Sequence, residues 1–328
     1  MKTTQARWNT VASLLFSFST LAFLPNVTQA QSDKPLKIIL ANGAGSGVDT
    51  IVRTAQPALS KALGQPVVIE NQAGAGGITG ASMVAKATPD GYTIGIVSNN
   101  HVINPSLGTP LSFDSINDFV QISILGASPI VLVVNPKKVT SNNLKEFITL
   151  LKANPGKYNY ASSGNGTILH LAGELFKSQA SVFAVHIPYR AVGPMVTDII
   201  GGQVDYGFLA LASVQQHIKS GALKVLGVGS PTRVPAAPDV PTLQEGGLPN
   251  YEVAGWLGVI APKGFPPAQT ARLNAAFVAA YNDPAVKDAM AKQGNVMAPS
   301  TSAVAAAYFR SELQKYAELV KRANVKID

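Results

Sequence analysis

The residues best suited to chemistry are gathered in short loops. Ser162-Ser163-Gly164-Asn165-Gly166-Thr167 joins hydroxyls, an amide and free main-chain N–H groups between a strand-like run and an amphipathic stretch. Open α/β sheets bind ligands at such junctions. Ser, Asn and Thr are preferred helix caps, but one helix needs only one, so the surplus donors point to an anion. Asn42-Gly43-Ala44-Gly45-Ser46-Gly47, followed by Asp49, precedes another helix. Its glycines let the backbone approach a ligand, and the N–H groups at the helix start favour a phosphate or carboxylate. Gly45, Ser46 and Asp49 are the candidates there. In Ser98-Asn99-Asn100-His101, the residues Asn99, Asn100 and His101 offer amide and imidazole donors, with capping as the alternative use of His101.

Several other chemistries are excluded or weakened. Gly43-x-Gly45-x-Gly47 lacks the spacing of a dinucleotide fingerprint. Gly74-Ala75-Gly76-Gly77 has no Lys-Ser/Thr after it, so it reads as a tight structural turn and not a Walker loop. No cysteine is present, which removes thiolate nucleophiles and sulfur-ligated zinc. No Gly-x-Ser-x-Gly elbow occurs. His101, His170, His186 and His217 form no His-x-x-x-His pair, and His170, between Leu169 and Leu171, reads as a core histidine. The formal charge is +8, but the basic residues are scattered, with Lys137-Lys138 and Lys321-Arg322 the only adjacent pairs. A nucleic-acid partner is not expected; a diffuse field that mildly favours small anions, or an ordinary solvated surface, is. No catalytic residue, cofactor or metal is assigned.

The loops must be held by a framework of alternating strands and helices, the pattern of an α/β protein. Strands are expected at 36–40, 66–70, 92–97, 130–134, 158–161, 184–187, 204–209, 223–228 and 253–260. Helices are expected at about 48–63, 78–87, 143–153, 167–178, 194–200, 268–281 and 301–323. Pro231, Pro235, Pro238, Pro241 and Pro249 mark an extended connection, not a packed element. Two cores with a return segment suggest a discontinuous first lobe, 31–130 with 251–328, around an inserted second lobe, 131–250.

The first thirty residues read as an address. Lys2 and Arg7 precede an apolar stretch from Val11 to Leu24, and Thr28-Gln29-Ala30 presents small residues where a signal peptidase reads. Cleavage is expected between Ala30 and Gln31, with export to the periplasm. The apolar run is short of the roughly 18–20 residues needed to cross a bilayer.

Taken in order, Glu70-Asn71-Gln72-Ala73-Gly74-Ala75-Gly76-Gly77, Pro89-Asp90-Gly91-Tyr92-Thr93, Asn154-Pro155-Gly156-Lys157, the Ser162–Thr167 loop, Pro188-Tyr189-Arg190 and Pro238-Asp239-Val240-Pro241-Thr242 closely resemble the Bug or TctC-like extracytoplasmic solute receptors. These are the binding components of tripartite tricarboxylate transporters. The resemblance spans the chain beyond the leader. It implies a type II periplasmic binding fold, with two lobes of sheet flanked by helices and a ligand cleft between them. The expected activity is carboxylate capture for transport by membrane components, without catalysis and as a monomer. A sensory receptor or an exported hydrolase are the alternatives. The implied loops are 41–49, 98–101, 162–167 and 189–194. They carry Gly45, Ser46, Asp49, Asn99, Asn100, His101, Ser162, Ser163, Gly164, Asn165, Gly166 and Thr167, with Tyr189, Arg190, Ala191 and Val192 from the last. Two departures, the absence of a Pro and a Gly-Gly pair before Asp49 and Ala191 in place of a common Gly, keep ligand identity from being carried over. A dicarboxylate, aliphatic or aromatic, is the expected ligand.

Overall fold

The computed structural model describes residues 34–108 and 110–323; the expected leader lies outside them. The chain opens with β1 (Leu36–Leu40), α1 (Gly47–Leu63), β2 (Val67–Asn71), α2 (Ile78–Ala85), β3 (Thr93–Ser98) and the short α3 (Asn100–Ile103). A long strand, β4 (Phe119–Val134), leads to α4 (Leu144–Ala153), β5 (Asn159–Ser162), α5 (Ile168–Ala180), β6 (Val185–Pro188) and α6 (Val192–Gly201). Then come β7 (Tyr206–Ala210), α7 (Leu211–Lys219), β8 (Lys224–Val228), β9 (Ala254–Pro262), α8 (Pro267–Asn282), α9 (Pro284–Lys292), β10 (Val296–Met297) and α10 (Ser302–Ala323).

Strand pairing falls into two sets that share β4. Its first part, Phe119–Pro129, pairs antiparallel with β9, which pairs antiparallel with β3, followed by parallel β1 and β2. Its last part, Ile130–Val134, lies between β7 and β8, with β5 and β6 continuing in parallel from β7. Ile130-Val131-Leu132-Val133-Val134 is buried throughout, as a strand covered on both faces must be.

Local chemistry explains the helix ends that matter. In α1 the Ser46 side chain accepts from the Asp49 N–H, Asp49 sits in the first turn, and Gly64 stops the helix in the left-handed conformation at φ 63°. The return helix α10 buries Ala305, Phe309, Tyr316, Leu319 and Val320. Its buried Glu312 accepts from Trp256 Nε1 at 2.7 Å, and the Tyr316 hydroxyl accepts from Asn99 Nδ2 at 2.6 Å, so the tail closes on β9 and on the end of β3.

Two expectations need correction. The proline-rich segment contains no helix or strand, but it is packed: Val234 is 5% exposed, Leu243 0% and Leu248 2%. Apolar side chains spaced between the prolines reach the core without regular structure. The strand expected at 130–134 begins at Phe119, and α7 and α9 were not anticipated.

Candidate ligand-binding cleft

A cleft of about 870 Å³ lies where several loops give way to helices. Asn42 and Ser46 come from the loop before α1, the Gly74–Ile78 turn leads into α2, Ser163, Asn165 and Thr167 precede α5, and Tyr189–Val192 lead into α6. Asn100 and Asn104 complete the wall. Helix N-termini carry partial positive charge and N–H groups without intrahelical partners. At the cleft, α1 and α5 are capped by the Ser46 and Thr167 hydroxyls, whereas α2 and α6 start from Gly77 and Ala191, which supply no side-chain cap. Arg190 is the only charged residue among those lining the cleft; it is exposed and makes no ion pair with a described residue. The wall is thus rich in donors and free of carboxylates, a setting that attracts anions.

The Gly74–Gly77 turn is more than the structural turn expected. Gly74, Ala75, Gly76 and Gly77 all have positive φ, at 146°, 45°, 62° and 91°. A non-glycine in this region costs about 1–2 kcal/mol; the Gly77 N–H donates back to the Gly74 carbonyl at 2.9 Å, which closes the turn. The turn is held by Asn104 Nδ2, which donates to the Gly76 carbonyl at 3.2 Å. Asn104 and this turn are the lining groups that residue typing missed. Four closely spaced small residues were the available signal.

The expected residues divide cleanly. Ser46, Asn100, Ser163, Gly164, Asn165, Thr167, Tyr189, Arg190, Ala191 and Val192 line the cleft. Gly45, Asp49, Asn99, His101, Ser162 and Gly166 are not among the residues lining it, although Asn99 lines a smaller space that shares its wall. Most of them position the wall instead. Asp49 accepts from Gly45 N at 3.0 Å, Asn71 Nδ2 at 2.9 Å and Arg53 Nε at 2.8 Å, fixing the first loop to β2. Burial pushes its carboxyl up, but the hydrogen bonds from Asn71, Gly45 and Arg53 outweigh it and hold the group below its ordinary value. Asn99 donates to the Ala254 carbonyl and accepts from Trp256 N, joining β3 to β9. His101 lies in an aromatic core with Phe113, Phe119 and Phe309, its Nε2 donating to the Ser115 carbonyl at 2.8 Å. Burial lowers its pKa to about 4.

Beneath the Ser163 loop lies a buried polar stack. Ser162 Oγ is bonded to His186 Nε2 at 2.7 Å and accepts from Gly164 N at 3.1 Å. His186 stacks on His170 at 4.1 Å, and His170 Nδ1 accepts from Gly166 N at 3.1 Å. His170 is therefore the satisfied core histidine expected. The Ser162–His186 pair is the geometry a hydrolase would need, but Ser162 is 0% exposed. Burial, followed by the neighbouring His170, lowers His186 to about 4, too acidic for a general base near neutrality. The pair braces the loop. Across the cleft floor, Asn100 Oδ1 accepts from Ile168 N at 2.9 Å, tying the β3 loop to the start of α5.

Comparison with known proteins shows the family and the fold. Residues 51–325 match the family described as the tripartite tricarboxylate transporter family receptor. A UPF0065 protein from the tcbD-tcbE intergenic region of a Pseudomonas species is 37% identical over 92% of this chain and 91% of its own length. BugT of Bordetella pertussis is 34% identical over 90% of each chain. A solved periplasmic transporter is 38% identical, covers 91% of this chain and 100% of its own, and superposes with a TM-score of 0.87. MatC from Rhodopseudomonas palustris with bound malate is 28% identical, TM-score 0.81, over 87% and 99% of the two chains. Rpa4515 from R. palustris with adipate is 26% identical, TM-score 0.85, over 89% and 98%. Fold and cleft define an α/β periplasmic binding protein. The chain belongs to the tripartite tricarboxylate transporter receptor family, whose members are solute-binding proteins and not enzymes.

Proposed function

We propose that this receptor captures a small dicarboxylate, aliphatic or aromatic, and presents it to the membrane components of a tripartite tricarboxylate transporter. The observation that carries this reading is the electrostatics of the cleft wall: the starts of α1, α2, α5 and α6 meet there, those of α2 and α6 without a side-chain cap, and the single charge is that of Arg190. An anion gains partners there without meeting a carboxylate, and no cleft group is poised as an acid, base or nucleophile. The relatives with malate and adipate support the ligand class.

In this reading residues 31–130 with 251–328 form one lobe and 131–250 the other. Capture draws them together over Ser46, Asn100, Ser163–Asn165, Thr167 and Tyr189–Val192. The chain works in the periplasm after cleavage following Ala30. A thermal-shift screen of carboxylates is the test. A ligand at 100 times its Kd adds about 2.7 kcal/mol, which for a protein of this size raises Tm by roughly 4 °C. At least one dicarboxylate should do so, and a screen in which no carboxylate raises Tm would refute the reading.

A further inference from the structure

Behind the cleft lies a smaller chamber of about 90 Å³. Asn42, Ser46, Asn100, Ser163 and Val192 line both spaces, so the two share a wall. Its remaining surface is mostly apolar, with Val48, Ile130, Leu169, Trp256 and Leu257, and no charged residue lines it. Three hydroxyls interrupt that surface, those of Ser98, Ser128 and Ser213, beside the Asn99 amide. Ser128 Oγ, on β4, and Ser213 Oγ, in the first turn of α7, are fully buried and have no hydrogen-bond partner among the described residues. Leaving a buried hydroxyl unpaired is unfavourable, so two bordering one small chamber call for an explanation.

The backbone around the hydroxyls points the same way. Helix α7 begins at Ala210 without a side-chain cap, leaving its first N–H groups unguarded. A side chain at Gly47 would start 3.1 Å from Ala210 Cβ and 3.6 Å from Ser213 Oγ. Glycine there keeps the space between α1 and α7 open. Donors at the far end, apolar walls along the way and a shared wall with the anion-favouring cleft together describe a subsite for an acceptor group at the end of an aliphatic chain.

Resting on the carboxylate reading above, we infer that this chamber receives the second carboxylate of the ligand, with the Ser128 and Ser213 hydroxyls as its donors. The ligand it selects is a linear α,ω-dicarboxylate with a methylene spacer. The first carboxylate stays at the outer loops, and the spacer covers the apolar walls. A short hydroxylated diacid would leave those walls uncovered.

The test is calorimetric titration of the purified protein with hexanoate and with adipate, in the parent and in Ser128→Ala, Ser213→Ala and the double variant. Dicarboxylates from succinate to suberate and the matching monocarboxylates bracket the length. At the preferred length the parent should bind the diacid about a hundredfold or more tighter than the monoacid, and the double variant should lose at least tenfold of that preference. Monoacid affinity and Tm should stay near the parent's. An unchanged preference in the double variant overturns the inference and assigns the chamber to water. Equal weakening of both ligands overturns it as well, since the serines would then be structural. Failure of every mono- and dicarboxylate to bind overturns the carboxylate reading, and this inference with it.

Discussion

At the residue scale, Ser163 and Arg190 offer two different ways of holding an anion. Ser163 is half-buried, lines both the cleft and the inner chamber, and its hydroxyl makes no hydrogen bond to a described residue. A hydroxyl bonded to a carboxylate contributes roughly 1.5–3 kcal/mol, so Ser163→Ala should weaken binding about tenfold or more while the fold persists. Arg190 is exposed, where salt screens its charge. Arg190→Ala should weaken binding only a few-fold at low salt, and the difference should vanish at high salt; titrations at two ionic strengths check both variants. A tenfold, salt-independent loss for Arg190→Ala would mean a guanidinium clamp. The neighbouring Ser162 shows the limit of residue typing. It looks like Ser163 in the sequence, but the alternation of a strand end turns it inward onto His186. His101 is likewise turned inward, enclosed by the phenylalanines at 113, 119 and 309.

At the element scale, the cleft depends on how closely α2 packs against the first loop. A Cβ at Gly80 would come 2.8 Å from Ala41 Cα and 3.0 Å from the Gln72 carbonyl, both backbone atoms that cannot swing away. Gly80→Ala should therefore push out α2 and the Gly74–Gly77 turn with it. We expect a stability loss of about 1–3 kcal/mol by chemical denaturation, together with weaker ligand binding. Unchanged binding would detach α2 from the site.

The alternation of strands and helices was legible because Gly64, the loop glycines and the apolar runs punctuate it. Other elements left weaker marks. Helix α7 follows β7 without a connecting loop, and its cap position is Ala210, which gives no start signal. The first part of β4 is broken in composition by Ser123, Gly126, Ser128 and Pro129, and its register shifts twice against β9. Helix α9 could have been found, since Asp283 before Pro284 is a cap followed by a favoured first residue.

At the scale of the whole molecule, the buried histidines make stability depend on pH. His101 and His186 are both lowered to about 4, chiefly by burial, whereas in the unfolded chain they titrate near 6.5. Between these values the unfolded state binds more protons, so protonation favours unfolding. Their stabilising contribution is complete above about pH 6.5, falls as the pH is lowered, and is lost once the pH has passed through about 4. Each group accounts for at most about 3 kcal/mol. Denaturation midpoints measured from pH 7 to 4 should fall steadily, and a flat profile across that window would contradict the buried, neutral state of these rings.

The central claim is that the cleft recognises negative charge through donors on several helix starts. It is tested most directly by titrating the purified protein with its best dicarboxylate from the screen and with the corresponding diamide, which has the same shape and no charge. Because charge-assisted hydrogen bonds are about twice as strong as neutral ones, and the amide N–H groups would face donors, the dicarboxylate should bind at least about a hundredfold tighter. Equal affinity for the diamide would contradict the account.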